Sequence, residues 1–232
     1  MKINIFADGA DKNGILEMYQ NPRIDGFTTN PTLMRKAGVN DYATFAKDIL
    51  QVIRDKPISF EVFADEFDEM ERQAVEIAGW GSNVYVKIPV MNTKRETSYD
   101  LVRRLSKAGV QLNITAIMTL EQVRKVAEAV QKGSPCFVSV FAGRIADTGV
   151  DPVPLMKEAL GLLKKAKNAK LLWASPREVL NVYQAESIGC HVITATNDIL
   201  KKLNLKGKDL TDFSQETVQM FYNDAQAAGF NL

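Results

Sequence analysis

The sequence predicts an α/β fold, a single-domain (β/α)8 TIM barrel with a C-terminal helical extension. Short runs rich in β-branched residues alternate with longer segments of helical period. This alternation is typical of a parallel sheet. The β-type runs number eight, and 232 residues with 46% hydrophobic residues are enough for one closed barrel over residues 1–232.

The apolar runs predict eight strands. Helices cover both faces of a parallel sheet, so its strands are buried on both sides and read as continuous apolar runs. They are Ile3–Asp8, Gly26–Asn30, Ile58–Phe63, Val84–Pro89, Gln111–Ile117, Pro135–Ala142, Lys170–Ser175 and His191–Thr196.

Helices are predicted where apolar residues recur every three or four positions. They cover Tyr42–Arg54, Asp65–Trp80, Thr97–Ala108, Leu120–Gln131, Leu155–Ala166 and a C-terminal extension over 213–229. The extension is free to cover a face of the barrel or to contact another subunit. A doubly wound open sheet is the alternative fold, but the residues after the first strand, Asp8-Gly9-Ala10-Asp11, do not form its glycine-rich GxGxxG turn.

Composition argues against several classes of function. The net charge of +1, from 29 basic and 28 acidic residues, predicts binding neither to nucleic acid nor to a membrane surface. The apolar N-terminal run is too short for a signal peptide, and no stretch has the length of a membrane span. Cys136 and Cys190 lie in apolar runs, which favours reduced core thiols and a cytoplasmic location. The single histidine, His191, is expected to be structural, and we expect no metal and no cofactor.

Lys87 lies inside the apolar run Asn83–Pro89. A lysine is almost never fully buried unless its charge is compensated. Burial lowers the pKa of an amine, and a neutral amine in a dry site can condense with a carbonyl to form a Schiff base. The alternative is a lysine at a strand end that extends to water.

Polar residues also occur near the ends of the other predicted strands, where the active site of such a barrel lies. They are Asp8, Thr28, Asn30, Glu61, Asn113, Thr115, Ser139, Ser175, Thr194 and Thr196, with Phe141 also on the sixth strand and Arg144 just beyond it. Polar groups at one level of a barrel are costly unless they face a shared cavity. Helix capping by Asp8 or Asn30, and a surface ion pair of Arg144 with Asp147, are the alternative roles.

A phosphate site is predicted from Arg144, Ser175 and Arg177. Guanidinium groups match phosphate oxygens, and Arg177 is expected to open the helix after the seventh strand, where backbone N–H groups are available. A cation at a helix N-terminus is unfavourable by itself, which favours an anionic ligand.

Six motifs resemble the transaldolase family, in the short form shared with fructose-6-phosphate aldolases, and the resemblance covers nearly the whole chain. The motifs are Phe6-Ala7-Asp8, Gly26-Phe27-Thr28-Thr29-Asn30-Pro31-Thr32, Val86-Lys87-Ile88-Pro89, Asn113-Ile114-Thr115-Ala116-Ile117, Ser139-Val140-Phe141-Ala142-Gly143-Arg144-Ile145, and Ala174-Ser175 with Arg177. The resemblance implies Schiff-base transfer of a dihydroxyacetone unit from fructose 6-phosphate or sedoheptulose 7-phosphate to erythrose 4-phosphate or glyceraldehyde 3-phosphate, in the pentose phosphate pathway. It also implies a homo-oligomer, a pentamer or decamer.

The resemblance implies a role for each matching residue. Lys87 would form the Schiff base, and Asp8 would move the proton of the C4 hydroxyl. Glu61 and Thr115 would hold the water that exchanges protons with intermediates. The substrate-binding residues would be Thr28, Asn30, Asn113, Ser139 and Phe141, and the phosphate-binding residues Arg144, Ser175 and Arg177.

Glu61 and Phe141 match the transaldolase branch, because the aldolase branch tends to have glutamine and tyrosine there. Val140 and Pro176 stand where the family usually has proline and phenylalanine. Pro176 is expected to restrict Ser175 to extended geometry, which would shift the phosphate site. The alternatives are an aldolase using the same lysine and a non-catalytic barrel that binds a sugar phosphate. The latter would have no need of the catalytic residues together.

Overall fold

A closed barrel of eight parallel strands in chain order forms the centre of the computed structural model, which describes residues 1–230. The strands are β1 Asn4–Asp8, β2 Gly26–Thr28, β3 Ile58–Glu61, β4 Val84–Pro89, β5 Leu112–Ile117, β6 Cys136–Val140, β7 Ala169–Trp173 and β8 Val192–Thr196. Each overlaps a predicted strand, and the predicted (β/α)8 barrel is confirmed.

Helices follow every strand in the described part of the chain. They are α1 Lys12–Tyr19, α2 Pro31–Lys36, α3 Tyr42–Val52, α4 Phe67–Ala78, α5 Tyr99–Lys107, α6 Leu120–Val130, α7 Ala142–Ala146, α8 Pro152–Leu163, α9 Leu180–Ser187, α10 Asn197–Lys201 and α11 Leu210–Ala228, with a 3-10 helix at Lys202–Leu205. The helix expected at Leu155 begins at Pro152, because Asp151 caps it and proline suits the first helical position.

The inside of the barrel has an apolar lower layer. Phe6, Phe137, Leu172 and Val192 pack there, with Tyr85 against them. The ring centroids of Phe6 and Phe137 lie 5.3 Å apart in an edge-on arrangement, and those of Tyr85 and Phe137 lie 4.4 Å apart. Because successive strand residues alternate between faces, the residues two positions further along β1, β4 and β6 point inward above this layer. They are Asp8, Lys87 and Ser139, so the apolar layer forms the floor of a polar site.

The chain divides into two compact units, Met1–Leu200 and a second one that begins at Lys201. The first contains the whole barrel. The second contains α11, which starts three residues before the predicted extension because the Asp209 side chain caps it through the amides of Thr211 and Asp212. None of the helices within residues 1–230 combines the length and the apolar character needed to cross a membrane.

Candidate active site

Lys87 is buried at the carboxyl end of the barrel, with 7% of its surface exposed. Strand register places it beside Glu61 on β3 and beside Asn113 on β5. Its Nζ lies 2.9 Å from Glu61 Oε2 and donates a hydrogen bond of 2.7 Å to the backbone oxygen of Thr29. Lys87 therefore does not extend to water, and an ion pair compensates its charge. The amine has a carboxylate base within direct reach.

Asp8 forms the second carboxylate of the site. Thr28 Oγ1 donates to Asp8 Oδ1 over 2.8 Å, and Thr194 Oγ1 lies 2.5 Å from Thr28 Oγ1. Because the Thr28 proton is used toward Asp8, the Thr194 hydroxyl acts as the donor in that second contact. Burial raises the pKa of Asp8, against the opposing effects of Lys87 and Thr28, and the charge of Glu61 raises it further. A carboxyl group in such surroundings is suited to accept and return a proton.

Asn113 is held by two serines. Ser139 Oγ donates to Asn113 Oδ1 over 2.6 Å, and Asn113 Nδ2 donates to Ser59 Oγ over 3.0 Å. All three residues are buried. The amide is thus fixed in orientation beside Lys87, as a substrate-binding group requires. Ser59 escaped the sequence analysis, although it stands two positions before Glu61 and so shares its face of β3.

Thr115 lies in β5 next to an irregularity of the backbone, and Asn30 lies between β2 and α2. Thr115 is 2% exposed and pairs in register with Pro89. The next residue, Ala116, has φ 61°, and the pairing of β5 with β6 shifts register there. Asn30 caps α2, since its Oδ1 accepts from the amide of Leu33 over 2.9 Å. Capping uses the side-chain oxygen, so Nδ2 is the atom with which Asn30 could bind a substrate.

Of the three predicted phosphate residues, Arg144 lies in α7, directly after β6, and Ser175 and Arg177 lie on the loop after β7. The two segments meet at Gly143. A Cβ at this position would lie 1.5 Å from Ser175 O and 3.4 Å from Arg177 Nε. Arg144 is exposed, and its guanidinium carbon lies 5.6 Å from the centre of the Phe141 ring. Only glycine at position 143 permits the close approach of the Ser175 backbone, which brings Ser175 and Arg177 next to α7.

Several details of the phosphate side differ from expectation. Asp147 pairs with Arg177, through Nε at 2.8 Å and also through Nη2, rather than with Arg144. Arg177 does not open a helix, because α9 begins at Leu180. The backbone amide of Arg177 already donates to Asn181 Oδ1 over 2.8 Å, so it is not free to bind a phosphate oxygen.

The prediction of extended geometry for Ser175 is also wrong. Its φ is 61°, in the left-handed region that residues other than glycine seldom adopt. The tertiary contact between the Ser175 carbonyl and Gly143 outweighs the local preference for extended backbone that Pro176 imposes. Left-handed serines of this kind are strained, and strain of this kind is concentrated at functional sites.

His191 and the two cysteines have structural roles. The amide of Leu171 donates to His191 Nδ1 over 3.0 Å, and burial lowers the pKa of this histidine. Cys136 and Cys190 are free and buried, and burial raises the pKa of each thiol to about 12. Within residues 1–230, no group of three or more His, Cys, Asp or Glu side chains could hold a metal ion.

Comparison with known proteins gives a consistent result. The family described as Transaldolase/Fructose-6-phosphate aldolase matches residues 5–232. A probable transaldolase of Thermoanaerobacter is 30% identical over 231 residues, which cover 99% of this chain and 100% of that protein. A probable transaldolase of Dehalococcoides mccartyi is 32% identical over 202 residues, covering 87% and 90%.

Solved structures support the fold alone. 3-Hexulose-6-phosphate synthase from Salmonella typhimurium superposes with a TM-score of 0.57 at 16% identity, covering 87% of this chain and 91% of that one. KGPDC from Streptococcus mutans gives 0.56 at 12% identity, covering 84% and 88%. The match over nearly the whole sequence is the stronger result, and it shows that this chain is an enzyme of the transaldolase/fructose-6-phosphate aldolase family.

Proposed function

We propose that this enzyme is a transaldolase that uses Lys87 to transfer a dihydroxyacetone unit. The donor would be fructose 6-phosphate or sedoheptulose 7-phosphate, and the acceptor erythrose 4-phosphate or glyceraldehyde 3-phosphate, as in the pentose phosphate pathway. The observation that carries the proposal is the buried Lys87 amine with Glu61 at 2.9 Å and the Asp8 carboxyl beside the pair.

Schiff-base formation requires an unprotonated amine. Lys87 has to give up a proton before its nitrogen attacks the ketose carbonyl, and Glu61 is close enough to accept that proton directly. Attack forms a carbinolamine, which loses water to give the iminium. Glu61 and Thr115 would then hold the departing water, which returns later to hydrolyse the product.

Carbon–carbon cleavage uses the iminium as an electron sink. Asp8 takes the proton of the C4 hydroxyl, the bond between C3 and C4 breaks, and its electron pair moves into an enamine on Lys87. The aldose phosphate leaves as an aldehyde. The acceptor aldehyde then takes the same place, the enamine attacks it, and Asp8 returns its proton to the new hydroxyl. A carboxyl whose pKa burial has raised suits this reversible transfer.

The three-carbon unit must stay bound between the two half-reactions. The amide of Asn113, fixed by Ser59 and Ser139, would bind its hydroxyl groups together with Asn30 Nδ2 and the hydroxyl of Thr28. The phosphate would be bound by Arg144 and Ser175, with Arg177 sharing its charge between the ligand and Asp147.

Phe141 favours transfer over simple cleavage. Its side chain has no hydroxyl that could deliver a proton to the enamine, and its ring lies against the Arg144 guanidinium. An enamine that is not protonated waits for an acceptor. An aldolase using the same lysine is the second candidate, and the competition between acceptor and proton decides between the two.

Release of glyceraldehyde 3-phosphate from fructose 6-phosphate, measured with and without erythrose 4-phosphate, tests the proposal. We expect sustained release only when the acceptor is present. Equal release without the acceptor would indicate an aldolase, with Lys87 chemistry retained.

Two further properties remain proposals. A cytoplasmic location is supported by the free buried thiols of Cys136 and Cys190. A homo-oligomer, pentamer or decamer, is supported by exposed apolar side chains on α11, including Val218, Phe221 and Tyr222. Light scattering coupled to gel filtration measures the mass in solution, and a monomer would contradict the second proposal.

A further inference from the structure

Tyr42 is hydrogen-bonded to the backbone of Glu61, and the proposed reaction gives this tyrosine no role. It is the first residue of α3. Its hydroxyl accepts from the amide of Glu61 over 2.7 Å and donates to the carbonyl of Glu61 over 2.8 Å. A single side-chain hydroxyl thus satisfies both backbone groups of a proposed catalytic residue.

The barrel has an irregularity at this point that explains the contact. Strand β2 ends at Thr28, and the chain turns into α2 at Pro31, which has no N–H to donate. The ladder between β2 and β3 therefore stops at Ser59, whose carbonyl accepts from the amide of Thr29. Glu61 extends β3 beyond the end of β2, so its backbone N–H and C=O have no partner on β2. The Tyr42 hydroxyl binds both groups instead. On the other side, the amide of Val62 donates to the carbonyl of Lys87 over 3.1 Å.

Aromatic neighbours fix the Tyr42 ring. Its centroid lies 6.3 Å from that of Phe60, 5.6 Å from Phe63 and 5.8 Å from Trp80. Burial raises the pKa of the Tyr42 hydroxyl well above its ordinary value. The hydroxyl therefore keeps its proton and continues to donate to the Glu61 carbonyl throughout the working range of pH.

We propose that Tyr42 is a positioning residue that fixes the Glu61 carboxylate against the Lys87 amine for the proton transfers of Schiff-base chemistry. The inference rests on the proposed function, in which Glu61 accepts the proton of Lys87. Without the hydroxyl, the end of β3 keeps its hydrogen bond to β4 but loses those to Tyr42. The backbone of Glu61 is then less well fixed, and so is the distance from Glu61 Oε2 to Lys87 Nζ. Misplacement of a catalytic group by about 1 Å can cost on the order of 100-fold in rate.

The test is a double-mutant cycle of Tyr42→Phe and Glu61→Gln. Tyr42→Phe keeps the ring and removes both hydrogen bonds. We expect it to lower kcat about tenfold or more in the wild-type background, with little change in the KM of fructose 6-phosphate, and to have little further effect in the Glu61→Gln background. A residue that merely stabilises the fold would give the same loss in both backgrounds.

Tyr19→Phe is the matched control. It also removes one tyrosine hydroxyl that is hydrogen-bonded, here to Asp55 over 2.8 Å, which is not one of the proposed site residues. We expect wild-type kcat. If Tyr42→Phe does not fold, Tyr42→His keeps an aromatic ring with polar atoms and replaces it in the same cycle.

The outcomes separate this inference from the proposed function. Wild-type kcat in Tyr42→Phe, or an equal loss in both backgrounds, would overturn the positioning role while leaving Lys87 chemistry intact. If wild-type enzyme gives no borohydride-stable adduct with any ketose phosphate, the proposed function itself fails.

Discussion

Gly143→Ala tests whether the contact between α7 and the loop after β7 builds the phosphate site. The added methyl carbon would lie 1.5 Å from Ser175 O and 2.7 Å from Ser175 C, whereas such contacts are essentially never shorter than 3.0 Å. The two backbones therefore have to separate by at least about 1.5 Å. Ser175 already has φ 61°, so its backbone has little freedom to adjust locally.

The magnitude follows from what moves. Overpacking of this kind costs roughly 1–3 kcal/mol of stability. Displacement of Ser175 and Arg177 also weakens hydrogen bonds to a charged ligand, each of which contributes about 1.5–3 kcal/mol. Loss of one such bond corresponds to a rise of about 10- to 150-fold in the KM of fructose 6-phosphate.

The assay compares a phosphorylated donor with one that has no phosphate. KM for fructose 6-phosphate should rise in Gly143→Ala, whereas adduct formation with dihydroxyacetone should stay close to wild type. Gly161→Ala is the control, because a Cβ there meets no atom within 4 Å. An unchanged KM for fructose 6-phosphate in folded Gly143→Ala would refute the assignment of α7 and the loop after β7 to phosphate binding.

Three further predictions concern side chains in and around the barrel. Asp8→Asn should abolish cleavage but retain adduct formation. Burial raises the pKa of Asp8 above its unfolded value, so the ionised carboxylate destabilises the fold at neutral pH. Thermal denaturation should therefore show Asp8→Asn to be more stable than wild type at neutral pH, and the difference should shrink as the pH falls and wild-type Asp8 becomes protonated. Full activity of the variant, or a stability gain that grows in acid, would contradict this. Lys87→Met should lower the free energy of unfolding, measured in urea, by about 3 kcal/mol, because Glu61 is left unpaired. The double variant Lys87→Met/Glu61→Gln should regain most of that free energy. Equal stability of all three proteins would contradict a contribution of this ion pair to stability. Cys136 and Cys190 should react with a thiol reagent only after unfolding, since both are buried with a pKa of about 12, and rapid reaction of the native protein would contradict their burial.

The fold could be predicted because its signals are local. Each strand is a compact apolar run, and the helices between them carry apolar residues at helical spacing. Lys87 was detectable because it interrupts such a run, and Thr28, Asn113 and Ser139 because they occupy inward positions of their strands. The alternation of side chains that placed them on the inner face also brought Ser139 into contact with Asn113.

The remaining features depend on contacts distant in sequence. Tyr42 acts on Glu61 from a helix 19 residues earlier, and nothing in its surrounding sequence indicates this. The pairing of Asp147 with Arg177, 30 residues apart, and the left-handed Ser175 both follow from the close approach at Gly143. Local preferences alone gave the opposite result for Ser175, since Pro176 favours an extended neighbour.

Borohydride trapping with fructose 6-phosphate, followed by peptide mass spectrometry, tests the central claim most directly. Reduction of the iminium makes the adduct permanent. We expect a single modified residue, Lys87, and no adduct in Lys87→Ala. An unmodified protein, or an adduct on another lysine that survives Lys87→Ala, would contradict it.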